Sequence, residues 1–534
     1  MDASLLDVAI TALSVLLEPE RLFYLGMGTI IGLALGIMPG VGGVAGLALL
    51  LPFTFNLDAY SAFAFMLGLG AVTSTSDTIP AVLFGVPGTS ASQATVLDGH
   101  SMAKNGEAGR ALSAAYAASL IGGLWGAFLL GLTIPVLRPI LLHINSPELL
   151  AFSIFGLSMV SALSGSMPLR GLSMAGFGIL LSMVGGDPQT GQERWTFDTL
   201  YLIDDLPLLP VALGLFALPE ICDVAARRTA ISDTSKYELK EGMLVGLRDV
   251  IKNWWLVAKC GSLGAMIGAI PGLGSAVVDW FAYGYAAKSV KDANKTFGKG
   301  DVRGVIAPES ANNAKEGGAL VPTIAFGVPG SASMALLLGG FMIHGLVPGK
   351  SMVTDNLDVT YTMVWSIALA NILGAGLCFA FSGQFAKIAT LRYTLVIPAI
   401  ISIMMVGAHQ ASADWGDLFT LLIFGVVGWT MKHLKWPRPP LILGFVLGGI
   451  VEDYMRISYQ IYEWAWVLKP VCTVMLVLAA LSLLQPLFTR VFIKKEKVDI
   501  FAFSAPQFRV TDFFPVGLLG VLMWALGSSF GWDE

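Results

Sequence analysis

The chain has 534 residues, of which 55% are hydrophobic and only 13% charged, a net charge of −5 and a mean hydropathy of +0.73. A soluble domain carries about 25% charged residues, so this is the composition of a polytopic membrane protein. The acidic balance, with no basic patch interleaved with aromatics, excludes a strong nucleic-acid footprint. Four scattered cysteines without a Cys-x-x-Cys and five isolated histidines argue against a disulfide framework and a metal site.

The first 20 residues hold Asp2, Asp7, Glu18 and Glu20 but neither Lys nor Arg, unlike the positively charged opening of a signal peptide. Residues 4–17 read as a mostly apolar helix at the membrane surface, and 1–21 as an N-terminal interfacial segment. Apolar runs follow at about 22–37, 41–55, 60–76, 110–133, 147–163, 169–184 and 199–219, a first transmembrane repeat over 22–221. The polar stretch 222–253 carries Arg227, Arg228, Lys236, Lys240, Arg248 and Lys252. Such basic content places a linker in the cytoplasm. A second repeat and its following helices span 254–485, with apolar runs at about 254–270, 274–287, 318–347, 360–382, 394–408, 416–431, 439–450 and 464–485; a basic loop covers 486–509 and a last transmembrane helix 510–534.

Two pairs of motifs identify a duplication. Pro80-Ala-Val-Leu-Phe-Gly-Val-Pro-Gly-Thr-Ser-Ala-Ser92 is echoed by Pro322-Thr-Ile-Ala-Phe-Gly-Val-Pro-Gly-Ser-Ala-Ser-Met334. Upstream of each stands a Pro-Gly loop, Gly36-Ile-Met-Pro-Gly-Val-Gly42 and Gly268-Ala-Ile-Pro-Gly-Leu-Gly274. The arms around Pro271-Gly272 have about 15 residues, roughly 22 Å of helix, against a bilayer core of about 30 Å. A re-entrant hairpin or a broken helix fits this length. Such backbone is tolerated at membrane depth only inside protein or beside a cavity. The loop after the first hairpin, Asn56-Leu57-Asp58, has no base, whereas its counterpart holds Lys288, Lys291, Lys295, Lys299 and Arg303. Opposite basic content predicts opposite sides of the membrane. The expected fold is therefore an all-α polytopic membrane protein of two inverted repeats, with its site near the midplane between them.

Each Gly-Val-Pro-Gly loop precedes small hydroxyl residues, so each opens a helix whose N-terminal N–H groups can receive an anion. The candidate substrate-binding residues are Gly40, Gly42, Gly43, Gly85, Gly88, Thr89, Ser90 and Ser92 in the first copy. In the second they are Gly272, Gly274, Gly327, Gly330, Ser331 and Ser333. Glycine lets a ligand approach the backbone; the alternative is that small residues simply let helices pack closely. Ser76, Asp77, Asn312 and Asn313 are the candidate ion-coupling residues, because intramembrane polar groups default to function. Glu309, with Arg303 and Lys315 near it in sequence, reads as a structural ion pair. Asp204, Asp205, Glu220 and Asp279 read as interfacial or helix-end residues. No histidine constellation suggests a ligand set.

These motifs, together with Leu97-Asp-Gly-His-Ser-Met-Ala-Lys104, Ala108-Gly-Arg-Ala-Leu112, Pro308-Glu-Ser-Ala-Asn-Asn313 and Ile343-His-Gly-Leu-Val-Pro-Gly349, resemble the large membrane subunit of the tripartite tricarboxylate transporters, the TctA-type family. The resemblance implies a secondary carboxylate transporter of the bacterial inner membrane, driven by Na⁺ or H⁺. It also implies two partners, a small membrane subunit and a periplasmic substrate-binding protein. A homodimer stays open. A stand-alone anion channel or facilitator is the competing reading; an enzyme would need a nucleophile–base pair or metal set, and none is evident.

Overall fold

Helix ends in this chain follow its Asp, Ser, Thr, Gly and Pro residues. Asp58 accepts from the backbone N–H groups of Tyr60 at 2.9 Å and Ser61 at 3.2 Å, and so caps the helix that follows. Gly85 and Gly327 take left-handed φ of 68° and 66° and end the helices before the two Gly-Val-Pro-Gly loops. Thr89 and Ser331 then start the next turns, accepting from Ala91 N at 3.1 Å and Met334 N at 3.3 Å.

The computed structural model describes residues 5–38, 42–163, 168–187, 192–227, 242–271, 275–388 and 393–488. Gly40, Gly272, Gly274, residues 228–241 of the expected linker, nearly all of the 486–509 loop and the expected helix 510–534 lie outside them. The first copy contains α1 (Leu5–Leu16), α2 (Pro19–Ile37), α3 (Gly42–Leu50), α4 (Ala59–Ser76), α5 (Thr78–Phe84), α6 (Gln93–Lys104), α7 (Ala108–Leu141), α8 (Ser146–Leu163) and α9 (Pro168–Ser182). A short hairpin, β1 (Gly185–Gly186) and β2 (Glu193–Arg194), leads to α10 (Leu200–Ile203), α11 (Leu208–Ala212) and α12 (Leu218–Arg227). The second copy contains α13 (Met243–Lys252), α14 (Trp254–Gly268), α15 (Ser275–Ser289), α16 (Ala293–Thr296), α17 (Arg303–Phe326), α18 (Ala332–Ile343) and α19 (Leu357–Ile388). It continues with α20 (Tyr393–His409), α21 (Gly416–His433), α22 (Pro439–Tyr462) and α23 (Pro470–Phe488).

The fold is all-α, as the composition predicts; β1 and β2 are the only strands among the described residues. Three described helices, Pro19–Ile37, Ala108–Leu141 and Leu357–Phe385, are long and apolar enough to cross a bilayer alone. Pro439–Leu468 and Pro470–Leu483 form a pair bent by 72°. The Pro-Gly arms α2/α3 and α14/α15 fold against each other.

Packing repeats across the duplication. Within each copy α2 packs on α4, and α14 on α17. Between copies α7 packs on α17 and α19 on α4, while α13 packs on α7 and α1 on α19. The close fits rest on glycine. A Cβ on Gly32 would lie 2.6 Å from the Leu69 carbonyl oxygen, and one on Gly264 or Gly122 would overlap the backbone of Ala311 or Ser310. For these glycines close packing is the observed role.

Within the polar stretch 222–253, α13 occupies residues 243–252, and Arg110 of α7 holds Asp249 at 2.7 Å. The apolar run 318–347 is broken at its Gly-Val-Pro-Gly loop, as those residues predict: α17 starts at Arg303 and ends at Gly327, and α18 is separate. Hydropathy missed the segment 303–317 because it carries Glu309, Asn312 and Asn313, whose side chains are buried against hydroxyls and carbonyls of the first copy.

Candidate functional site

The break between α4 and α5 falls at Asp77, fully buried beside the first Gly-Val-Pro-Gly loop. Thr89 donates its hydroxyl to Asp77 Oδ2, and Gly88 N donates to the Asp77 carbonyl at 3.3 Å. A Cβ on Gly88 would fall 2.7 Å from Asp77 Cα. The loop is therefore folded tightly around the aspartate. Gly330 sits in the equivalent place in the second copy, where a Cβ would lie 2.8 Å from the Gly268 carbonyl oxygen and 3.2 Å from Ala319 Cα. Ala319 stands where Asp77 stands in the first copy.

The neighbouring helix α17 brings Asn312 and Asn313 to the same region. Asn312 Nδ2 donates to the Ala91 carbonyl at 3.3 Å. Asn313 Nδ2 donates to Thr75 Oγ1 at 2.7 Å, to Asn371 Oδ1 at 2.7 Å and to the Ala71 carbonyl at 3.3 Å. Four buried oxygens in this region have no hydrogen-bond partner: Asp77 Oδ1, Asn312 Oδ1, Asn313 Oδ1 and Ser74 Oγ. Ser76 is differently placed; its hydroxyl donates to the Thr73 carbonyl at 3.4 Å and faces Gly36.

Glu309 corrects the sequence expectation. It makes no ion pair with Arg303 or Lys315, since Arg303 holds Asp301 and Lys315 holds Glu316. Instead three hydroxyls of the first copy donate to it: Thr95 at 2.6 Å, Thr78 at 3.0 Å and Ser119 at 3.1 Å. Its helical position turns it inward, whereas the bases near it in sequence lie on other faces of α17. Asp279 is likewise not interfacial. It is fully buried in α15 and accepts from Ala94 N, in the first turn of α6, at 3.0 Å. A carboxylate of one copy thus rests on a helix N-terminus of the other. Glu220 lies in the first turn of α12, a helix-end place as expected, where Lys432 and Arg438 hold it at 2.6 and 2.8 Å. Asp204 and Asp205 are exposed at the end of α10, as expected.

The other sequence candidates are scattered. Ser90 is exposed, Ser92 is buried, and Gly42 and Gly43 open α3. Gly85 and Gly327 are helix-ending residues. Ser331 caps α18. Ser333 lines a small cavity with Leu47, Leu67, Gly70, Ala71, Glu316 and Leu337 among its walls.

That cavity is the duplicate of the polar cluster. Aligning Pro80 with Pro322 puts Leu67, Gly70 and Ala71 where Glu309, Asn312 and Asn313 stand, and Leu337 where Thr95 stands in reverse. Aligning Pro39 with Pro271 puts Leu47 where Asp279 stands. Matching Gly374 on Val72 with Gly126 on Ala314 pairs Ile367, another wall of the cavity, with Ser119. One copy of the site is hydrogen-bonded and polar; the other is apolar and incompletely filled. A carboxylate in one copy facing a leucine in the other is a signal the sequence does contain. The residues missed from sequence alone are Glu309 as a hydroxyl-bound group, Asp279, Thr78, Thr95, Ser119 and Asn371.

Residues 22–443 match the family described as "Tripartite tricarboxylate transporter TctA family". An "Uncharacterized 52.8 kDa protein in TAR-I ttuC' 3'region" of Agrobacterium vitis is 29% identical over 498 residues, covering 91% of this chain and 96% of that protein. A second Agrobacterium vitis protein, from the TAR-II ttuC' 3'region, is 27% identical over 240 residues, covering 44% of this chain and 99% of its own length. No solved structure matches. With a family match that runs through both copies and the polar cluster between them, this chain belongs to the TctA family of tripartite tricarboxylate transporters.

Proposed function

We propose that the chain is the large transmembrane subunit of a binding-protein-dependent secondary transporter. It imports a di- or tricarboxylate across the bacterial inner membrane, coupled to a cation gradient with Na⁺ as the cation. The observation that carries this reading is the set of unpartnered buried oxygens on Asp77, Asn312, Asn313 and Ser74. Buried polar atoms are nearly always satisfied. Carboxylate, amide and hydroxyl oxygens beside a helix break suit Na⁺, which takes backbone and side-chain oxygens at such breaks. No described Lys or Arg pairs with Asp77, which leaves its charge for the cation.

The substrate is received at the Gly-Val-Pro-Gly loops by backbone N–H groups, with the hydroxyls of Thr89, Ser90, Ser92, Ser331 and Ser333 around it. The small membrane subunit and the periplasmic binding protein complete the system, the latter delivering the carboxylate.

Reconstitution of the three components in proteoliposomes tests this with a panel of di- and tricarboxylates. Uptake should need the binding protein and rise with an inward Na⁺ gradient at fixed pH, and Asp77→Asn should remove the Na⁺ stimulation. Uptake that proceeds without gradient or binding protein would instead identify a facilitator.

A further inference from the structure

Lys315 and Glu316, neighbours on α17, form a buried ion pair. Other buried pairs join separate elements: Arg456 of α22 holds Asp187 beside β1, and Arg438 holds Glu220 of α12. Adjacent residues of a helix point about 100° apart and do not face each other. The Lys315–Glu316 contact therefore fastens no element to another. A buried charge is costly, and one that makes no structural tie points to function.

The stripe of α17 that carries Lys315 runs from one Gly-Val-Pro-Gly loop to the other. Asn312, three residues earlier, donates to the Ala91 carbonyl beside the first loop at 3.3 Å. Ala319, four residues later, lies against the second loop, where a Cβ on Gly330 would be 3.2 Å from its Cα. Residues three and four apart share a helix face, so Lys315 stands between the loops. Its backbone joins the same contact: a Cβ on Gly268 would fall 2.5 Å from the Lys315 carbonyl oxygen, and the Gly268 carbonyl borders Gly330. Glu316 shares its cavity with Ser333, just after the second loop. Neither Pro80–Ser92 nor Pro322–Met334 contains Lys or Arg, so α17 supplies an ammonium that the loops lack. The first copy has no equivalent, since aligning Pro80 with Pro322 puts Thr73 and Ser74 opposite Lys315 and Glu316. Thr73 turns its hydroxyl back onto the Leu69 carbonyl at 2.8 Å. The lysine carries three hydrogens; Glu316 Oε1 takes one, and no other described residue accepts from it.

We propose that Lys315 is a specificity-determining residue, whose ammonium receives one carboxylate of the substrate between the two loops while Glu316 positions it. The two hydrogens that Glu316 leaves over are donated to that carboxylate. Backbone N–H groups at a loop take a second carboxylate. A single cation set between two anion-accepting loops selects molecules with two or more carboxylates over monocarboxylates. Glu316 balances the lysine's charge, which avoids the cost of a lone buried ion. That the bound carboxylate is then carried across the membrane rests on the transporter reading above; its place on Lys315 does not.

Scintillation-proximity binding to the full chain in lipid nanodiscs, with Na⁺ present, tests this with labelled succinate, glutarate, citrate and butyrate. Wild type should bind one or more of the di- and tricarboxylates about tenfold or more tightly than butyrate. Lys315→Met should erase that preference. It also strands Glu316, so its thermal unfolding midpoint should fall. Lys315→Met combined with Glu316→Leu leaves no lone charge. Its midpoint should recover while the preference stays lost. A purely structural pair predicts that both recover together. Recovery of the preference in the double variant overturns the proposal, as does a wild type that binds none of these compounds or does not distinguish them from butyrate. The double variant decides the matter even if the single one does not fold. In the reconstituted three-component system the double variant should raise the KM for uptake about tenfold or more; an unchanged KM overturns the proposal. Absence of any wild-type uptake would count against the transporter reading, and the binding measurements would still decide Lys315.

Discussion

Asn313 donates its side-chain amide to the carbonyl of Ala71 at 3.3 Å, and the two residues occupy the same position in the two copies. Equivalent residues of the two copies are thus in contact at the boundary between them. Gly123 and Asn371, an equivalent pair on α7 and α19, meet in the same way. The two copies are therefore joined through Asn313 and Asn371, whose side chains bond each other at 2.7 Å.

Asn313→Ala should destabilise the fold, because it strands Thr75 and Asn371 in the interior. Each stranded buried group costs about 1–3 kcal/mol. The midpoint of thermal unfolding in detergent should fall, and Asn313→Ala with Asn371→Ala should cost less than the sum of the two. Strict additivity would show that the bond between them contributes nothing.

The glycines separate into two groups. Gly32→Val drives a side chain into the Leu69 carbonyl, whereas nothing lies within 4 Å of a Cβ on Gly26. Folded yield should collapse for Gly32→Val and hold for Gly26→Val. Gly88→Val and Gly330→Val also meet backbone, so their loss of transport would report packing as well as ligand approach. Hydroxyl variants are the cleaner probes of the loops.

Thr89→Val should reduce carboxylate uptake more than Ser333→Ala at matched expression. Thr89 donates to the buried Asp77, and hydrogen bonds to charged groups contribute roughly 1.5–3 kcal/mol. That corresponds to about tenfold or more. Ser333 borders the apolar cavity instead. Equal losses would mean that the two loops act symmetrically despite their different surroundings.

Opposite orientation of the copies predicts that single cysteines at Asn56 and Lys295, both exposed, react with an impermeant thiol reagent from opposite faces. The cysteine-free background loses the buried Cys260, Cys378 and Cys472 and the exposed Cys222. Labelling of both sites from one face would rule out inverted repeats.

The loop before α17 should loosen in acid. Burial pushes the Asp301 carboxyl up, but hydrogen bonds from Arg303 and Thr296 outweigh it and hold it below the ordinary aspartate value. A depressed value means the contribution is complete at neutral pH and fades as pH falls below about 4. Limited proteolysis between 290 and 302 should accelerate over that range, and Asp301→Asn should remove the pH dependence.

Much of the fold was legible from the sequence. Composition fixed the membrane class, the paired Pro-Gly and Gly-Val-Pro-Gly motifs exposed the duplication, and proline and glycine marked where helices break. Gly85, Gly327, Thr89 and Ser331 do at their helix ends what their residue types dictate, because caps and left-handed turns are decided within a few residues. Asp77, Asn312 and Asn313 stood out as costly polar residues in apolar surroundings.

Partnership was decided only by tertiary structure. Glu309 has Lys315 six residues away and Thr95 more than two hundred away, yet Thr95 is the one bonded to it. Asp279 and Ala94 stand 185 residues apart. Local sequence specifies which groups are polar and where a helix stops, since those depend on backbone and immediate neighbours. Which face of α17 meets which hydroxyl depends on how two long helices from different copies cross, and that is set by the whole glycine-lined packing of the bundle.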